Sequence, residues 1–345
     1  MKLKPDANGA EPAVRLNHWY GVCPGLFRPL ARSGEPRPVL NVSHKLLTKE
    51  FADVPLTLRF DAREAPGAGE QTTLLALLAI AQQRIRTSTG VARLTADEAD
   101  LAGRDLWERL RQSAPDVEGE LLRFTTTWRE ICQAAGGSCG GAQMQVRQQH
   151  LIRLCNIQTW EYLGDSRVPH RQSQLLSWVV GDDVRVHLAL NHRLVQALLG
   201  SPYAQISMGE RLSLSSETAQ VLHAALSAIV RPGTSTKIHT LTLCRRIWVD
   251  WDNTINDATR RRRLHDVNGA LLQLDALPAW SVSSCGSGPL HIKRRNKGGI
   301  DRVTTRVRQN TRESASEPDQ KTGILDQTIE VGSRLLAGGL YVPTA

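Results

Sequence analysis

The stretch EQTTLLALLAIAQQR, residues 70–84, sets the strongest limit on what this chain can fold into. It reads as a strongly apolar helix, and a helix of that kind must be covered, either by a core of its own chain or by a partner chain. Enclosure in the chain's own core is the preferred reading, with a dimer seam as the alternative. The chain has the material for it: 345 residues of which 41% are hydrophobic describe an ordinary globular protein with real cores. That length exceeds the usual domain of roughly 100–200 residues, so two domains with appendages are expected.

Residues 1–37 are rich in proline and poor in periodicity, and read as an extended N-terminal arm in which CPGLFRPL (23–30) is apolar enough to dock on the body. Two β-type runs follow, PVLNVS and PLTLRF, then the apolar helix and a second helix over DLAGRDLWERLRQ. In ELLRFTTTWREICQAAG (120–136), Thr125 to Thr127 supply helix caps before Trp128, Ile131 and Cys132, and Gly136 and Gly137 stop the helix. A further helix starts after a glycine turn in GGAQMQVRQQHLIRLCNIQTW. Met144, Leu151 and Cys155 share one face of it, while Gln145, Gln149 and Arg153 lie opposite, and glutamine and arginine can make two-pronged contacts to base edges. QLLSWVVGDDVRVHLAL then resembles a hairpin turning at Gly181-Asp182-Asp183.

The same order recurs: helix 215–230, a turn at Arg231-Pro232-Gly233, the strand TKIHT, the helix LTLCRRIW, a long helix ending near Leu274, and the strands AWSVSSC and PLHIKRRN. Two such copies predict a mainly α chain with small β-hairpin wings, an α+β tandem winged-helix protein. The expected boundaries are 38–200 for the first winged-helix domain, 201–295 for the second, DNA-binding one, and 296–345 for a polar, largely disordered tail.

Charge points to the partner. Lys plus Arg number 43 against 34 Asp plus Glu, a net +9, which predicts a polyanion, most commonly nucleic acid. The excess concentrates around RIWVDWDNTINDATRRRRLHDV (246–267): residues 231–263 hold eight Lys or Arg against three aspartates. Asp250, Asp252 and Thr254 also fit the D-x-D-x-T pattern of a phosphatase, whose first aspartate must end a central strand of a doubly wound sheet. Only 91 residues follow Thr254, and the one Gly-Asp-Asp lies upstream, in the wrong order for that fold.

A capped helix accounts for more of these residues. Asn253 or Thr254 caps a helix beginning near Ile255, and Asp257 sits in its first turn, where the helix dipole favours an anion. Leu264, Val267, Leu271 and Leu274 form its buried stripe, which turns Arg261, Arg262 and His265 outward and leaves Arg260 and Arg263 at the flanks. Lys293, Arg294, Arg295 and Lys297, at the end of the second wing, are placed to reach DNA backbone beside it.

Six cysteines without a C-x-x-C pair exclude zinc-type spacing and suggest reduced thiols, and nothing calls for a metal or cofactor. No signal-type core and no run of about 18 apolar residues appears, so the expected place is the bacterial cytoplasm and no membrane partner is expected. None of the ten histidines makes the closely spaced pair that a nicking enzyme needs. The runner-up is a winged-helix transcriptional repressor, which would bind a palindrome as a dimer.

The stretches CPGLFR (23–28), HLALNHRLVQALLG (187–200), ISMGERLSLSSETAQVLHAAL (206–226), LTLCRRIW (241–248) and RRRRLHDVNGALLQLDAL (260–277) resemble, in family order, the replication initiators of IncQ-type plasmids known as replication protein C. That resemblance implies a non-enzymatic protein that recognises directly repeated sequences, iterons, in double-stranded origin DNA, and opens the origin for a plasmid or host replicative helicase and primase. It implies further that Arg261, Arg262 and His265 read one half of each repeat and Gln149 and Arg153 the other. A homodimer in the unbound state stays open.

Overall fold

The computed structural model of the chain describes residues 13–30, 36–47, 54–98, 100–110, 121–181, 185–200, 202–252, 255–284 and 288–296. In chain order its elements are β1 (Ala13–Asn17), α1 (His18–Val22), β2 (Leu40–Leu47), β3 (Pro55–Ala62), α2 (Ala68–Thr87), β4 (Val91–Leu94), α3 (Leu101–Leu110), β5 (Leu121–Thr126), α4 (Trp128–Ala134) and α5 (Gly141–Cys155). They continue as β6 (Gln158–Leu163), β7 (Arg171–Gln174), β8 (Leu176–Val180), β9 (Val186–Leu190), α6 (His192–Leu199), β10 (Tyr203–Ser207), α7 (Met208–Ser213) and α8 (Glu217–Ile229). The last five are β11 (Ser235–Ile238), α9 (Thr240–Ile247), α10 (Asp257–Asp275), β12 (Trp280–Ser284) and β13 (Leu290–Arg294).

Helix α2 is the apolar segment of the sequence, and it is covered by its own chain. Glu70 to Gln82 are buried without a break, under β1, α4, α5 and α8. Leu74, Leu75, Leu77 and Leu78 are each at 0% exposure, and each such side chain stabilises the fold by roughly 1.5–3 kcal/mol relative to leaving it in water. The helix starts where the Glu70 carboxylate accepts a hydrogen bond from the Gly67 amide at 2.9 Å, which satisfies a donor that the first turn would otherwise leave unpaired.

The expected tandem winged-helix plan with two small hairpin wings does not hold. The strands form four antiparallel sheets: β1-β10, β11-β13-β12, and two four-stranded sheets ordered β2-β3-β6-β7 and β4-β5-β9-β8. The hairpin expected over 174–190 does form, as β8 paired antiparallel with β9, but it is not a separate wing: β9 also pairs with β5, inside the β4-β5-β9-β8 sheet. Residues 121–126, placed before a helix by the sequence reading, are strand β5, with Leu122, Phe124 and Thr126 alternating into the core. The helix itself begins at Trp128, capped as expected from the threonine run, with the Thr127 hydroxyl accepting from the Glu130 amide at 3.2 Å. The Asp182-Asp183 turn, Thr254, Lys297, the first 12 residues and the tail beyond Asn296 lie outside the described residues.

Two apolar clusters carry most of the burial. One gathers residues from Val14 to Ala228 around α2. The other is built by α8, α9, α10 and the β11-β13-β12 sheet around Leu222, Leu226, Val267, Leu271, Trp280 and Ile292. In the first, Glu161 at 3% exposure receives two hydrogen bonds from Arg193, at 2.9 and 2.8 Å, and lies 2.9 Å from His192. Burial works against that carboxylate, but the His192 and Arg193 contacts outweigh it and hold its pKa far below the usual range.

Candidate nucleic-acid interface

Helix α10 is positioned by its N-terminal cap and its buried face. The Asn256 side chain accepts from the Thr259 amide at 2.8 Å and Asp257 occupies the first turn, so the cap lies two residues beyond Thr254 and three beyond Asn253, the two candidates of the sequence. Val267, Ala270, Leu271 and Leu274 are buried, with Leu264 partly buried against the same cluster. The helix therefore cannot rotate without exposing its stripe, and Arg261, Arg262 and His265 are exposed on the other side. Among the described residues neither Arg261 nor Arg262 has an ion-pair partner.

The two aspartates of the phosphatase-like pattern are counter-ions. Asp250 lies in the turn between α9 and α10, not at the end of a strand, and both its oxygens accept from Arg263, at 2.8 and 2.9 Å. The Arg263 guanidinium also lies 5.2 Å from the centre of the Trp248 ring, a cation–π position. Burial raises the Asp250 pKa, and the Arg263 hydrogen bonds and charge more than reverse this, leaving the carboxyl below its ordinary value. Asp252 takes Arg245 in the same way, at 2.9 and 3.0 Å, on the exposed side of the turn. The end of α9 is tied to α1 and the CPGLFR segment that follows it. Arg246 donates to the Val22 carbonyl at 2.7 Å and the Gly25 amide donates to the Arg246 carbonyl at 2.9 Å. Gly25 has φ +69, and a Cβ there would come within 2.0 Å of Val249, so only glycine suits the position.

The remaining cations divide by what they touch. Arg260 is partly exposed, 3.9 Å from Asp257 and 6.0 Å from the Trp251 ring centre. Lys293 and Arg295 are exposed. Arg294 is not available to a partner: it is 5% exposed, lies 5.1 Å from the Trp280 ring centre and donates to the Gln205 carbonyl at 2.7 Å. Strand alternation is the cause, since Arg294 shares the inward face of β13 with Ile292. On the outward face the register sets Lys237 opposite His291 and Ser235 opposite Lys293, with Ser281 and Ser283 on the third strand. The sequence reading counted Lys237 as charge without giving it a role, because only cross-strand pairing places it beside Lys293.

Gln149 and Arg153 belong to the other cluster. Gln149 is exposed on α5, beside a small cleft of about 230 Å³ that Arg63, Glu64 and Arg153 help to line. Arg153 donates to Glu64 at 2.8 Å and to Glu70 at 3.2 Å. Glu70, 1% exposed, also accepts from Arg37 at 2.9 Å and lies 3.8 Å from His150. Its carboxyl pays for burial, yet His150, the Gly67 amide and Arg37 keep its pKa below the ordinary value. His150 in turn is pushed down to about 4, chiefly by burial, and stays neutral at pH 7.

Among the described residues no group of three or more His, Cys, Asp or Glu side chains is arranged to hold a metal, and no helix is long and apolar enough to cross a membrane. The second cluster thus presents a surface suited to a polyanion: unpaired arginines on a fixed helix, beside a small sheet whose outer positions are cationic or hydroxylated. The chain belongs to the replication protein C (RepC) family, whose model matches residues 12–296. No curated protein sequence matches it. Among solved structures it is similar to a crystal structure of domains 2 and 3 of RctB, in selenomethionine form, at 10% identity with a TM-score of 0.46, covering 82% of this chain and 99% of that one. A second crystal structure of RctB domains 2-3, RctB-155-483, gives 10% identity and a TM-score of 0.42, covering 80% and 95%.

Proposed function

We propose that this replication protein is an initiator that binds directly repeated sites in the duplex DNA of its origin and promotes their opening. Residues 201–295 act as the duplex-binding domain, and α9 and α10 as a helix–turn–helix whose second helix enters the major groove. Arg261, Arg262 and His265 face the DNA, with Arg260 at the flank and Lys293, Arg295 and Lys237 reaching the backbone beside it. The observation that carries the reading is the contrast within one arginine run. Arg263 is neutralised by Asp250, while Arg261 and Arg262 are exposed without a carboxylate partner among the described residues. Fixed, unpaired guanidinium groups can grip phosphate and read guanine.

Opening needs no nucleophile in this scheme. Binding energy spent on deforming the duplex offsets the cost of unpairing, and the opened segment is handed to a replicative helicase and primase. Footprinting on the DNA flanking the encoding gene tests the proposal. Protection of tandem direct repeats at helical-turn spacing is expected; protection of a single palindrome would favour a repressor instead.

A further inference from the structure

The β2-β3-β6-β7 sheet has one face in the core, through Val42, Leu58, Phe60 and Glu161, and an opposite face that does not resemble a protein-docking surface. At the outward positions of residues 41–45, 57–61 and 158–162 there is no aliphatic side chain. Instead Trp160 and Tyr162, both partly exposed, stand two residues apart on β6. Register places Arg59 beside Trp160 on one side and Gln172 on the other. The Arg59 guanidinium lies 5.5 Å from the Trp160 ring centre, and Lys45 and Asn41 stand exposed on the neighbouring strand. Arg59 is partly neutralised by Asp61 at 2.8 Å, so the face is only weakly charged.

We propose that this sheet face binds single-stranded nucleic acid. Side chains two apart on a strand are separated by roughly 6.5–7 Å, a spacing that consecutive unstacked bases of an extended strand can match. Aromatic rings on an antiparallel sheet hold such bases by stacking, largely without regard to sequence. Arg59 and Lys45, each beside a carboxylate (Asp61 at 2.8 Å and Asp165 at 3.8 Å), add only a weak attraction for phosphate, so the rings carry the binding, and the Asn41 and Gln172 amides can bond base edges. A duplex has no unpaired base to offer, so this face and α10 take different forms of DNA. The site itself stands on the sheet geometry alone; only its natural ligand, the strand released at an opened origin, rests on the proposed initiator role.

The test uses the full chain and two probes, an oligothymidylate of about twenty nucleotides and the repeat-bearing duplex. Trp160→Ala with Tyr162→Ala should weaken oligothymidylate binding at least about tenfold and leave duplex affinity within about twofold. Arg261→Ala with Arg262→Ala should do the reverse. Because half-buried rings also support the fold, ultraviolet cross-linking of the unmutated chain to oligothymidylate is the second measurement, with the adduct expected in the peptide bearing Trp160 and Tyr162. No binding of the oligonucleotide, unchanged affinity in the aromatic double variant, or adducts only on α10 would overturn the proposal. Loss of the repeat footprint with the cross-link retained would support the platform and sink the initiator reading.

Discussion

Helices α5 and α10 each follow a short helix and a turn, each buries one apolar stripe, and each carries arginine. They differ in what those arginines touch. On α5, Arg153 is committed to Glu64 and the buried Glu70, and Arg147 donates to Thr73 at 3.1 Å. The exposed side of that helix is left with Gln145, Val146, Gln149 and Ile152 and no exposed cation. On α10, Arg263 is committed but Arg261 and Arg262 are exposed. An arginine facing a carboxylate has already spent its attraction, and its neighbour one residue earlier has not. In the proposed reading the phosphate grip falls to α10, while the cations of α5 are held by the fold.

The largest expected effect is on α10. Arg261→Ala together with Arg262→Ala should lower affinity for repeat DNA about a hundredfold at moderate salt with no change in the urea midpoint, measured by electrophoretic shift and denaturation. Acid comes next and acts on the buried network. His150, His192 and His223 have pKa values lowered mainly by burial from 6.5. The unfolded chain therefore binds protons first, and stability falls as pH drops below about 6.5. Glu70, Glu161 and Asp250 are also depressed, from 4.5, 4.5 and 3.8, so their contribution is full above those values and is lost on further acidification. Urea midpoints from pH 8 to about pH 3 should show a decline in two stages; a flat profile to pH 5 would break the picture of neutral buried imidazoles.

Smaller effects sharpen the comparison. Asp250→Ala leaves Arg263, whose side chain is only 14% exposed, without its partner, and should cost about 1–3 kcal/mol of stability. Arg153→Ala removes one of the cations holding Glu70 and should cost about 1–2 kcal/mol while leaving DNA affinity within about twofold. Gln149→Ala should change stability by no more than about 0.5 kcal/mol. A tenfold loss of DNA binding in that variant would return base reading to α5 and erase the distinction between the helices.

Much of this was legible in the residues. The apolar run gave a helix enclosed by its own chain, and the i, i+3, i+7 spacing of Leu264, Val267 and Leu271 correctly turned Arg261, Arg262 and His265 outward. What failed was long-range pairing. Strands β5 and β6 were hidden because ELLRFTTTW and NIQTW run directly into or out of helices, and their partners are distant in sequence: Phe124 faces Leu188 and Arg59 faces Trp160. The same blindness affected charge. Nothing local shows that Asp250 belongs to Arg263, that Glu70 belongs to Arg153, or that Arg294 points inward beneath Trp280.

The salt dependence of repeat binding tests the difference between the two helices most directly. Each phosphate contact contributes about −0.9 to the slope of log affinity against log salt. Replacing Arg261 and Arg262 by alanine should reduce the magnitude of that slope by about 2, whereas Arg153→Ala should leave it as in the unmutated chain. An unchanged slope in the first variant, or an equal reduction in the second, would contradict the assignment of the phosphate grip to α10.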